Sequence, residues 1–191
     1  MNTENAGSSF TGVFFTKAGV IELRFRIIFL SSLLIITLVP LYIFVPFRHI
    51  IACKDLQSER LLAYLPVEDE AHVSIRYTHS IHRSDVTEEY TIKQTRLYPF
   101  QLVYEDTAVG MPANAKPGEA FEMKDGKYYI RNMKGYQDAL NLTIGEVVAN
   151  HQLVYRKHSY SLQENIGPGV SIKIQAEYTN LWELWKGELL E

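Results

Sequence analysis

Residues 71–94 read AHVSIRYTHSIHRSDVTEEYTIKQ. Apolar side chains fall there on every second position: Val73, Ile75 and Tyr77, then, after a polar interruption, Val86, Tyr90 and Ile92. Because successive side chains of an extended chain point to opposite faces, this period predicts two half-buried β-strands, 71–79 and 86–94. His79 shares the inward face with Val73, Ile75 and Tyr77, and Glu88 shares it with Val86, Tyr90 and Ile92. The opposite faces carry Ser74, Arg76 and Thr78 on one strand and Thr87, Glu89, Thr91 and Lys93 on the other, which suits water. With 80–85 as the loop, His79 stands across from Val86 and Tyr77 across from Glu88. His79 and Glu88 then become diagonal neighbours within reach of each other.

The same pattern continues outward. Short runs rich in Val, Ile, Tyr and Thr predict further strands at 49–54, 60–65, 97–104, 119–123, 127–133, 139–144, 152–158 and 170–178. Turn chemistry separates them, with Asp125-Gly126 as a hairpin signal and Gly167-Pro168-Gly169 as a sharp reversal. No long amphipathic helix lies between these runs, so the expectation is an all-β domain, an antiparallel sandwich or a barrel-like sheet. At the C-terminal end, residues 180–186 read as one capped helical turn or a last edge strand. Trp182 and Trp185, three apart, are assigned there to core packing.

Residues 27–47 (IIFLSSLLIITLVPLYIFVPF) contain no charge. As a helix they would reach roughly 31 Å, about the thickness of a bilayer's hydrocarbon core. The domain plan is therefore a cytoplasmic leader at 1–26, one transmembrane signal anchor at 27–47 with a bend near Pro40 and an end near Pro46, and an extracytoplasmic β domain at 48–191. Lys17, Arg24 and Arg26 precede the span while Arg48 and Lys54 follow it, which places the N-terminus in the cytoplasm and the domain outside the cell membrane. Two alternatives compete. Cleavage as a signal peptide lacks a small-x-small site after the apolar run. Lipidation of Cys53 has the residue types of Ile50-Ile51-Ala52-Cys53 in its favour, but Arg48 and His49 interrupt the apolar run before it.

The composition narrows the function. The chain has 191 residues, 47% hydrophobic and 21% charged, with a formal charge of −3, so it is neither a disordered chain nor a basic nucleic-acid binder. One cysteine excludes a disulfide framework and a four-cysteine zinc module. The densest cluster of polar chemistry is RYTHSIHRSDVTEEY, residues 76–90. An inward Glu88 must accept a hydrogen bond, from His79, Ser80 or a backbone amide, or be costly to bury. A Ser80–His79–Glu88 hydrolase would need Ser80 to bend back across its strand, and no G-x-S-x-G elbow is present, so no catalytic residue is assigned. His79 and His82 beside Glu88 specify no third or fourth ligand, so no metal and no cofactor is expected. Residues 107–112 (TAVGMP) form a sharp turn without phosphate-loop spacing, and His151 reads as a turn or cap residue at a strand start.

Taken together, YTHSIHRSDVTEEY at 77–90, AVGMP at 108–112 and LNLTIGEVVANHQL at 140–153 resemble an uncharacterised bacterial family, the domain of unknown function 1850, over about 48–178. The most specific element is Tyr77-x-His79-Ser80 followed by Glu88 and then Tyr90. Gly110 and Pro112 match the family's glycine-x-glycine-x-proline turn, while Ala108 stands where a glycine is usual and Asp85 where a proline often occurs. The resemblance implies a small secreted or membrane-anchored β protein encoded beside TAXI-type tripartite ATP-independent periplasmic transporters, and hence an accessory role in solute uptake. The partners it implies are transporter subunits or a solute receptor, with Tyr77, His79, Ser80, Glu88, Tyr90, Gly110 and Pro112 as binding or structural site candidates. A hydrolase-type enzyme using His79, Ser80 and Glu88, and a structural envelope protein without a ligand, are the rival expectations.

Overall fold

A computed structural model describes residues 17–80, 83–106 and 111–191. The first sixteen residues of the expected leader, together with His82, Ala108 and Gly110, lie outside the described residues. The chain divides into two units, residues 1–42 and 43–191.

The N-terminal unit is dominated by helix α1 (Lys17–Phe44), which includes Pro40. It begins ten residues earlier than the uncharged run, taking in Arg24 and Arg26, and Glu22 pairs with Arg26 one turn on. Proline disfavours helical backbone at the residue before it, and α1 accordingly stops at Phe44, just short of Val45-Pro46. The stretch Ile21–Phe44 is long and apolar enough to cross a membrane, as a single-pass anchor or a signal helix would be.

The second unit is β-rich. Its strands are β1 (Arg48–Asp55), β2 (Leu61–Pro66), β3 (His72–Thr78), β4 (Asp85–Lys93), β5 (Arg96–Tyr104), β6 (Ala120–Lys124), β7 (Lys127–Arg131), β8 (Leu140–Thr143), β9 (Gln152–Tyr155) and β10 (His158–Ser161). They are followed by the short helix α2 (Leu162–Asn165), strand β11 (Ser171–Thr179), a helical turn α3 (Leu181–Leu184) and the strand pair residue run β12 (Glu188–Leu189). One sheet has the order β12-β2-β1-β11-β8 and the other β10-β9-β3-β4-β5-β7-β6. All pairings are antiparallel except β12 with β2. The sheets do not close into a barrel. One apolar core draws Ile51, Ile172 and Ile174 from the first sheet and Val73, Ile75 and Leu153 from the second, so the two sheets form a sandwich.

Three local features depart from the simple period. The expected strand 152–158 is a hairpin, because Arg156 and Lys157 both take positive φ (49° and 70°) and turn the chain between β9 and β10. Strand β5 carries an extra residue: Tyr90 pairs with Pro99 and Glu89 with Gln101, leaving Phe100 bulged. Proline has no N–H for the ladder, and a bulge is where a central strand tolerates it. The third concerns the tryptophans. The Asn180 side chain caps α3 by accepting from the Glu183 N–H, and the turn packs inward through Leu184. Trp182 and Trp185 are left 44% and 77% exposed, so the core assignment made for them is corrected.

Strand β1 is covered on both faces. Ile51 and Cys53 enter the sandwich core, while Ile50 and Ala52 pack with Leu61 on the other side. Cys53 is fully buried, and loss of solvent pushes its thiol up to about 12. A diacylglyceryl group on this sulfur would have to leave the core, and cleavage before it would remove more than half of β1. The thiolate is the reactive form, so native Cys53 is expected to resist alkylation at pH 8 and to react fully in denaturant. Rapid alkylation of the native chain, or a lipid adduct by mass spectrometry, would contradict this burial.

Candidate functional site

Strands β3 and β4 pair as Val73 with Tyr90, Ile75 with Glu88 and Tyr77 with Val86. This register lies two residues from the expected one, in which Tyr77 faced Glu88. An even slip keeps every side chain on its face. Glu88 therefore still points inward, between Val86 and Tyr90, which are 1% and 3% exposed. Its diagonal neighbour is now Tyr77.

The two tyrosines supply donors to this half-buried carboxylate. Tyr77 Oη donates to Glu88 Oε1 at 3.1 Å, and Tyr90 Oη donates to Oε2 at 2.5 Å. Both phenols are held well above their ordinary range, first by loss of solvent and then by the neighbouring Glu88 charge, so they remain protonated donors. A carboxylate offers about four acceptor positions, and the two phenols fill only half of them.

Two adjoining hollows of about 230 and 370 Å³ share Tyr77, Glu88, Tyr90 and Gln137 as walls. Loops roof the smaller one through Met111, Pro112 and Met133. Tyr104, buried on β5, donates its hydroxyl to the Pro112 carbonyl and fixes that roof. The larger hollow is closed from the other sheet by Leu140, Asn141 and Leu142 of β8, and at one end by His151.

His151 belongs to the site although the sequence reading made it a turn residue. The β3–β9 register pairs Arg76 with Gln152, which carries His151 to the position across from Tyr77, with ring centres 5.4 Å apart. Its Nδ1 accepts the Gly145 N–H at 3.1 Å, so the ring proton sits on Nε2. Gly145 permits this fold-back, since a Cβ there would meet Ala149 Cβ at 2.5 Å. Burial lowers the His151 pKa from its ordinary value, against an opposing pull from Glu88, and keeps the ring neutral at pH 7. The one signal that could have identified it is its place next to a strand paired with β3.

Of the remaining candidates, Pro112 lines the smaller hollow. His79 lies half-buried just beyond β3, its N–H donating to Ser84 O at 2.8 Å, and it lines neither hollow. Ser80 is exposed in the turn that follows. The partners of Glu88 are thus phenols, where the sequence pointed to His79, Ser80 or an amide. Among the described residues no group of three or more His, Cys, Asp or Glu could hold a metal ion.

Tyr90→Phe removes a donor from a half-buried acceptor and is expected to lower the unfolding free energy by about 1–3 kcal/mol. Glu88→Gln should cost a similar amount, and the double variant less than the sum, because the two groups share one interaction. Chemical denaturation of the three variants measures this coupling, and strict additivity would refute it.

A family model described as Domain of unknown function (DUF1850) matches residues 73–162. No curated protein and no solved structure matches the chain. The matched stretch, just under half of the chain, carries Tyr77, Glu88, Tyr90 and His151 alike, and over it the chain is similar to the DUF1850 family.

Proposed function

We propose that the chain is a membrane-anchored, extracytoplasmic accessory protein that binds a small solute between its two sheets and assists a TAXI-type tripartite ATP-independent transporter or its solute receptor. The observation that carries the reading is the pair of hollows walled by Tyr77, Glu88 and Tyr90. Concave, mostly apolar spaces with a few convergent polar groups are the usual form of a small-molecule site. The apolar helix Ile21–Phe44 supports a tether, and the excess of basic residues before the apolar run supports a cytoplasmic N-terminus with the β domain outside. The transporter partner rests on the family resemblance and its implied role in solute uptake. Placement of the groups favours binding over hydrolysis, since Ser80 is exposed in a turn and the groups that hydrogen-bond Glu88 are the phenols of Tyr77 and Tyr90, not Ser80 or His79.

Pull-down of the tagged full chain from its native membranes is expected to recover transporter subunits or a solute receptor. Leu142→Trp, which fills the larger hollow from β8, is expected to slow solute uptake while leaving the amount of anchored protein unchanged. Recovery of neither partner, together with unaltered uptake in the Leu142→Trp strain, rejects the proposal.

A further inference from the structure

The charge balance of the hollows narrows the class of ligand, and this step rests on the binding site proposed above. Glu88 is the acidic side chain in both walls, and its two partners are neutral hydroxyls. Among the described residues no lysine or arginine lines either space. The described ion pairs, such as Lys54–Glu177, Arg96–Asp138 and Lys127–Glu105, use other carboxylates. The base nearest to hand, His151, spends Nδ1 on the Gly145 N–H and offers the cavity only a neutral Nε2–H. Among the described residues the site therefore holds one carboxylate, two acceptor positions still open on it, and no compensating cation.

We infer that this cavity recognises a small organic cation, a ligand carrying an ammonium or guanidinium group beside an apolar body. The cation would take the open positions on Glu88, where low solvent exposure strengthens the attraction. The rings of Tyr77, Tyr90 and His151 border the same space, and aromatic faces attract a desolvated cation. Met111, Met133 and Leu102 on one side and Leu140 and Leu142 on the other supply the apolar surface for the rest of the molecule. An anionic ligand would meet Glu88 with nothing to neutralise it, so carboxylates and phosphates are excluded by the same geometry.

Three probes of one shape separate the possibilities: benzylammonium, benzyl alcohol and benzoate, titrated calorimetrically into the full chain in detergent. Benzylammonium is expected to bind at least about tenfold more tightly than benzyl alcohol, with no heat from benzoate. Glu88→Gln is expected to bring the ammonium down to the level of the alcohol, and Leu142→Trp to weaken both. The wild-type ranking decides the matter even where Glu88→Gln unfolds. Equal affinity for the three probes, preference for benzoate, or a cation preference that survives Glu88→Gln overturns the inference while leaving a cavity that binds. Binding unaffected by Leu142→Trp, or no binding of any probe, overturns the cavity site itself along with the inference.

Discussion

A carboxylate on the inward face of a sandwich strand is expensive to desolvate, and the arrangement around Glu88 is organised by that cost. The backbone alternation of β4 leaves no choice of direction, because Val86, Tyr90 and Ile92 must be inside and Glu88 shares their phase. The remedy is local. Tyr90, two residues on, and Tyr77, the diagonal neighbour on β3, bring their hydroxyls to the two oxygens. Both phenols also bury large rings, so the residues that satisfy the charge are the ones that build the surrounding wall. Packing and the polar wall of the hollows are thus carried by the same three side chains.

Much of this was legible in the sequence, for a reason visible in β3 and β4. The face of each residue follows from parity alone, and parity survives a register slip of two. The inward direction of Tyr77, Glu88 and Tyr90 could therefore be read correctly while the partner of Glu88 could not. That partner depends on register, and register depends on how many residues the hairpin loop consumes. The strand pairs continue as far as Thr78 with Asp85, and the backbone bond from His79 to Ser84 shortens the loop below the expected six residues. His79 is carried to the strand end, and Tyr77 takes the position that the sequence reading gave to it.

Other features were hidden because they break the period that reveals strands. In β5, Leu97 and Pro99 pair with inward residues of β4, yet beyond the bulge it is Leu102 and Tyr104 that do so. The apolar phase changes from odd to even at Phe100. A reading of 97–104 as one strand assigns its two ends to opposite faces, and only Pro99 marks the interruption. The turn at Arg156-Lys157 lacks the glycine or asparagine that usually signals positive φ, so the β9–β10 hairpin looked like a single strand. His151 was missed for a different reason: its role comes from long-range pairing of β9 with β3, which no local pattern encodes.

The location of the hollow follows from unequal coverage of the two sheets. β4 and β5 are each nine residues long, whereas β8, the edge strand facing this region, has four. Past the reach of β8, the inner face around Leu102 and Glu88 is covered by the turns bearing Met111, Pro112 and Met133 instead of by a strand. A strand laid across that face would interdigitate with it and exclude solvent, as the core does around Val73 and Leu153. The turns, held by the Tyr104 bond to Pro112 and by Met111 and Met133 against Val86, Tyr104 and Ile130, leave space under them. A half-buried acid is tolerable at that place and not a few residues further along β4, where Ile92 lies fully enclosed between the sheets. The short edge strand and the inward carboxylate are therefore two halves of one arrangement, the first leaving the opening and the second placing an acid in its wall.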